Sequence, residues 1–252
     1  MSLDARKALA PPDRVSHSET FPLARVPRSV HDRIAHKLGK AIVSGELQPG
    51  EALPGEERYS AEQGVSRTAY REAIRMLAAK GLVFSRTKSG TRVSERRQWS
   101  MLDLDIIAWM FETGPSPEFL RGIFELRMAV EPSAAALAAA RRTSQDIAAM
   151  GHALEEMRRH GLMTPEGRAA DRSFHHMILE ATRNEPLMSL SSSIAAVVAW
   201  TTRFAREERG ESRNPMPDHD AVFDAIVAGD GAKAHTAMLA LVRNASRDAG
   251  ML

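Results

Sequence analysis

The chain contains no cysteine. That excludes disulfide bridges, thiolate-held metals and a cysteine nucleophile, and it suits a reducing compartment. No stretch reaches the length of a membrane span, and the first residues carry no apolar run of the kind that directs secretion. A cytoplasmic location without membrane association is the expectation. Strand-like patterns are confined to two short runs in the first hundred residues, and beyond them the periodicity is helical. Net charge is scarce too, only +2 over 252 residues.

That small net charge hides an uneven distribution. Residues 1–100 hold 18 Lys/Arg against 11 Asp/Glu, whereas residues 101–252 hold 16 against 21. A basic front half suggests contact with a polyanion, although chance surface charge gives the same arithmetic. The length has room for two ordinary domains, and 43% hydrophobic residues support a sizeable core.

Residues 1–25 lack periodicity and read as a flexible arm. From Ser29, the residues Ile34, Leu38, Ile42 and Val43 mark one helical face, closed by Gly45 and Pro49-Gly50. A short helix over Glu56–Gln63 ends at Gly64. Ser66 suits the N-cap of a helix running to about Lys80, with Gly81 as its stop. Two β-like runs, Leu82–Ser85 and Thr91–Ser94, flank the basic turn Arg86-Thr87-Lys88-Ser89-Gly90. Over residues 26–95 this is the layout of a winged helix-turn-helix. The helix from Ser66 turns Ala69, Ala73, Ile74 and Leu77 inward and exposes Ser66, Arg67, Thr68 and Arg71. Arginine can grip guanine bidentately, Ser and Thr suit phosphates or bases, and a helix N-terminus favours phosphate. The helix alone could equally be an amphipathic one with solvated arginines. The basic wing and the charge split favour DNA.

Residues 96–116 read as a linker with an amphipathic helix carrying Ile106, Ile107, Trp109, Met110 and Phe111. Over residues 117–252 the breaks leave candidate helices at 117–142, 144–160, 165–183, 185–209, 215–229 and 231–248. Antiparallel neighbours would make an all-helical bundle. The expected fold class is mainly α: a winged helix-turn-helix with a small β-wing, followed by an all-α bundle.

Residues 30–94 resemble the DNA-binding domain of the GntR family. The resemblance rests on Ile42-Val43-Ser44-Gly45-Glu46-Leu47-Gln48-Pro49-Gly50, on Leu53-Pro54, and on Gly64-Val65-Ser66-Arg67-Thr68 with Arg71-Glu72-Ala73. Gly81-Leu82-Val83 and the wing Ser89-Gly90-Thr91-Arg92-Val93 complete it. It implies a homodimer on double-stranded operator DNA, contacted through Arg58, Ser66, Arg67, Thr68, Arg71, Lys88, Ser89 and Gly90. One departure stands out. Where the family usually has an arginine shortly after Leu-Pro, this chain has Glu57. Arg58 follows one residue later, about 100° round the helix, which puts the family's usual operator preference in question.

Residues 118–248 resemble the FCD ligand-binding domain of the FadR-type subfamily. The signals are Glu125-Leu126-Arg127 with Glu131-Pro132, Ala170-Asp171-Arg172-Ser173-Phe174-His175, and Asn184-Glu185-Pro186-Leu187. His219 with Phe223, Ile226 and Gly229-Asp230 completes the set. Asp171 and His175 stand four apart and share a helix face. Such a carboxylate and imidazole can bind one divalent metal, or simply form a surface ion pair. The resemblance implies the metal, zinc first, with His219 as a third ligand. Metal-binding members usually add a histidine three residues after a methionine on the last helix. Here Leu241 follows Met238, and His235 lies about 120° away from that face, leaving water or an effector oxygen to fill the remainder.

Arg127 is the candidate grip for an effector carboxylate, with an ion pair to Glu131 as the plainer reading. Trp200 and Arg203 are further pocket candidates, though Trp200 could equally serve the core. The connector Gln98-Trp99 with Leu102-Asp103-Leu104-Asp105-Ile106-Ile107-Ala108-Trp109 resembles members that govern sugar-acid catabolism. That resemblance implies a repressor released by a galactonate-like sugar acid. A lactate-like 2-hydroxy acid, a dicarboxylate and a fatty acyl thioester are other effectors within the same class. A metal-dependent helical enzyme using Asp171, His175 and His219 is the competing class. It needs a general base beside an open metal position. Glu180 lies five residues beyond His175, and no other carboxylate is clearly placed for that role.

Overall fold

The computed structural model describes residues 29–86, 90–209 and 213–251. The arm at 1–25 and the wing-tip residues Lys88 and Ser89 lie outside them. Helix α1 (Val30–Val43) opens on a capping box between Ser29 and Asp32. Helices α2 (Glu56–Gln63) and α3 (Arg67–Ala79) are joined through Gly64, whose φ of +64° is the left-handed conformation that glycine adopts without strain. Ser66 caps α3 by accepting from the Ala69 N–H at 3.1 Å. Strands β1 (Val83–Arg86) and β2 (Gly90–Val93) pair antiparallel, Val83 opposite Val93, and make the wing.

Helix α4 (Leu104–Glu112) differs from the amphipathic linker expected of it. Every residue from Ile106 to Phe111 is buried, because the helix is covered on both sides, by α1 and by a later helix, α9. Trp109 donates its Nε1–H to His36 Nδ1 at 2.9 Å and lies flat over Gly39. A Cβ at Gly39 would fall 2.3 Å from the indole, so only glycine admits this approach. At the start of α4, Asp103 and Asp105 hold Lys80 from the end of α3 at 2.8 and 2.7 Å. At its end, Glu112 faces Lys40 and His36 of α1. One core therefore runs unbroken from Ile34, Leu77 and Val93 through α4 to Phe119, Ile123, Val197 and Trp200.

The remaining helices are α5 (Pro117–Arg141), α6 (Ser144–His160), α7 (Pro165–Ala181), α8 (Glu185–Met188), α9 (Ser191–Arg209), α10 (Met216–Ala228) and α11 (Gly231–Asp248). They form a bundle around Phe124, Met150, Leu154, Phe174, Ile178 and Met238. The helix expected over 185–209 is broken in two. Ser189 turns its hydroxyl back onto the Pro186 carbonyl at 2.7 Å, offering that carbonyl a local partner in place of the helical ladder. None of the helices over the described residues is long and apolar enough to cross a membrane.

Candidate functional site

The bundle holds a cavity that is partly open to solvent. Its polar wall brings together residues far apart in sequence: Arg127 of α5, Asp171 and His175 of α7, Thr201 and Thr202 of α9, and His219 of α10. Leu162, Val198 and Leu241 supply apolar wall, and the partly exposed Arg213 and Asp248 also border it. Arg127, Asp171, His175 and His219 are all buried, as is Glu131 behind them.

Helical spacing explains the convergence. Asp171 and His175 are one turn apart on α7, and α10 lays His219 opposite them. His219 Nε2 lies 3.1 Å from Asp171 Oδ1, and His175 Nε2 lies 3.6 Å from the same oxygen. The outer nitrogens face acceptors. His219 Nδ1 meets the Pro215 carbonyl at 2.9 Å, and His175 Nδ1 meets the Glu131 carboxylate. Both outer nitrogens must donate there, so each neutral imidazole presents its Nε2 lone pair to Asp171. Three lone-pair donors then face one another, and only protons or a cation between them relieve that repulsion. This donor set, with its carboxylate-backed histidine, fits a divalent metal.

When protons rather than a metal fill that cluster, His175 and His219 carry charge and the carboxylates stay ionised. Burial pushes Glu131 up, but the charges of Arg127 and His175 and their hydrogen bonds outweigh it and hold the carboxyl at about 2. Asp171 is likewise raised by burial, then lowered to about 2 by the hydrogen bond and charge of His219 with help from His175 and Arg127. Arg127 donates from Nε to Glu131 Oε1 at 2.6 Å and from Nη1 to Thr201 at 3.0 Å. Thr202 donates to Asp171 Oδ2 at 3.0 Å.

The structure thus brings Arg127, Asp171, His175 and His219 to one cavity and leaves Trp200 and Arg203 outside its lining. Trp200 stacks on Phe111 of α4 with centroids 5.4 Å apart and planes within 9°, and Arg203 lies over the Trp200 ring. Trp200 serves the core, because the adjacent Thr201 and Thr202 occupy the cavity-facing side of α9. Leu241 does line the cavity, while His235 is exposed. Sequence reasoning missed Thr201, Thr202 and Arg213, for which no local pattern exists. It weighed Glu131 only as the neighbour of Arg127.

On the helix-turn-helix, Ser66, Arg67, Thr68 and Arg71 are all exposed at the start of α3. Arg67 pairs with Glu57 at 3.0 Å and Arg71 with Glu56 at 3.2 Å, both from the start of α2. Arg58 instead lies along its own helix against Glu62 at 2.7 Å. Gly90 is exposed with φ +71° at the start of β2. The stacked Tyr59 and Tyr70 rings, 4.4 Å apart, lock α2 onto α3.

Comparison with known proteins agrees with both halves. Residues 30–93 match the family described as "Bacterial regulatory proteins, gntR family", and residues 122–244 match the FCD domain. The galactonate operon transcriptional repressor of Escherichia coli (strain K12) is 35% identical, covering 86% of this chain and 95% of that protein. The HTH-type transcriptional regulator LutR of Bacillus subtilis (strain 168) is 30% identical over 81% of this chain and 93% of its own length. The solved structure of Lar, which controls expression of the Listeria monocytogenes agr system, matches with a TM-score of 0.63 at 19% identity. It covers 89% of this chain and 98% of that one, and bears on the fold alone.

Proposed function

Because the chain belongs to the GntR family of DNA-binding transcription regulators and carries an FCD domain, we propose that it is a repressor released from its operator by a small hydroxy acid bound in the FCD cavity. The matched domains and relatives are regulators, not enzymes. A galactonate-like sugar acid is the leading effector, supported by the relative that represses a galactonate operon. The observation that carries the reading is the buried cluster of Arg127, Glu131, Asp171, His175 and His219 in an otherwise apolar bundle. Burying such charge is costly unless a ligand or partner uses it.

The chain's own residues divide the work. Arg127 offers a guanidinium to a carboxylate, held in place by Glu131 and Thr201. Thr201 and Thr202 offer hydroxyls to a polyol. Asp171, His175 and His219 would hold a divalent metal, zinc by the nitrogen and oxygen donor set, whose charge would anchor effector oxygens. Leu241 on the cavity wall offers no donor atom, so water or effector oxygens would complete the metal's coordination.

Helix α9 supports a route to the DNA. One face carries Thr201 and Thr202 into the cavity, and the other stacks Trp200 on Phe111 of α4. Helix α4 in turn grips α1 through Trp109 and the end of α3 through Lys80. An effector that prefers one position of α9 would shift the recognition helices relative to each other in a homodimer and weaken its hold on two successive major grooves. A thermal-shift screen against hexonates, lactate-like acids and dicarboxylates tests the reading. A hit should stabilise the protein and also release operator DNA. A panel in which no acid does both would overturn it.

A further inference from the structure

The pairing of acidic and basic residues at the DNA-reading end is unusual for a surface meant to meet a polyanion. The side chains of Glu56, Glu57, Arg67 and Arg71 converge where α2 and α3 both begin. Glu56 is the more sheltered of the two carboxylates, at 33% side-chain exposure. Glu57 projects, at 78%, with its Oε1 3.0 Å from Arg67 Nη1. We propose that Glu57 is a specificity-determining residue of the DNA interface, accepting a hydrogen bond from cytosine N4 while it aims Arg67 at a neighbouring guanine. The proposal rests on α3 being the DNA-reading helix.

The chemistry leaves little choice of partner. A carboxylate only accepts, so it makes no hydrogen bond to a phosphate and meets like charge there. In the major groove two base edges donate, adenine N6 and cytosine N4. Adenine sets its N7 acceptor next to that donor, which repels a carboxylate, whereas the cytosine edge presents the donor alone. With Arg67 on the O6 and N7 of guanine, the ion pair holds the projecting Glu57 carboxylate beside a neighbouring base. The ion pair also pre-orders the guanidinium, so its fork need not be fixed on arrival.

The test is affinity selection of the full chain on random-sequence duplex DNA, read by sequencing, for wild type and Glu57→Gln. Gln keeps the shape and still accepts from Arg67, but its amide pairs with adenine N6 and N7. Wild type should enrich cytosine beside a guanine in each half-site. The variant should lose about five- to tenfold of that preference at this one position and shift it toward adenine, other positions unchanged. A variant that binds every duplex more tightly while keeping the wild-type profile would show Glu57 to be a charge brake only, and would overturn the proposal. A wild-type chain that enriches no sequence would instead overturn the reading of α3, and the proposal with it.

Discussion

Replacing Glu131 by Gln keeps the side chain's shape and removes its charge at the centre of the buried cluster. The two Glu131 oxygens serve two different donors, Arg127 Nε on Oε1 and His175 Nδ1 on Oε2. Gln has one acceptor and one amide donor, so it can accept from only one of those two donors. With the amide N–H turned toward Arg127 the guanidinium keeps only Thr201, and in either orientation its buried charge loses the Glu131 carboxylate as counter-ion. Breaking a buried pair from one side costs about 3–5 kcal/mol. For a chain of this size each kcal/mol moves Tm by about 2–4 °C, so a fall of roughly 6–20 °C is expected. Thermal unfolding followed by circular dichroism in chelator-treated buffer reads it directly. Adding Arg127→Met should recover part of the loss, since the orphaned charge is then gone. A Tm within about 2 °C of wild type, or a double variant that merely sums its parts, would refute the assignment of Glu131 as the shared counter-ion.

Three further outcomes follow from the same geometry. Phe111→Ala removes the stack on Trp200 and should leave operator binding intact while abolishing its release by effector; unchanged release in a fluorescence-anisotropy titration would exclude α4 as the link. After dialysis, wild type should retain roughly one divalent ion per chain, and His175→Ala little, by elemental analysis; equal and negligible content in both would remove the metal from the account. Glu131 and Asp171 titrate near 2, below their ordinary 4.5 and 3.8. The unfolded chain therefore binds more protons in acid, and their stabilisation is complete above about pH 4.5 and lost as pH falls toward 2. Urea unfolding at pH 5 and pH 3 should show that loss, and a smaller one in Glu131→Gln.

Much of this was legible in the sequence where local rules govern. Ser66 as a cap, Gly64 as a turn and the one-turn spacing of Asp171 and His175 are properties of neighbouring residues. The winged helix and the bundle followed from them. Contacts between distant helices were not legible. Glu131 meets His175 across 44 positions, and Thr202 meets Asp171 across 31. No periodicity announces which face of α9 looks inward, so the sequence leaves Trp200 open between pocket and core and offers Arg203 as a pocket candidate, while their neighbours Thr201 and Thr202 line the cavity. Helix α4 misled for a related reason. In nine residues an apolar stripe and an all-round apolar surface look alike, and only the packing of α1 and α9 on both sides tells them apart. Glu57 stood out as a departure, but its pairing with Arg67 needed the α2–α3 turn to be seen in three dimensions.

In the proposed mechanism, occupancy of the Asp171, His175 and His219 cavity governs the grip of α3 on DNA. The most direct measurement is operator affinity by fluorescence anisotropy, with and without the acid found by thermal shift, for wild type and His219→Ala. Saturating acid should weaken wild-type binding by about tenfold or more and leave the variant's binding unchanged. Equal release of both proteins at the same acid concentration would contradict that mechanism.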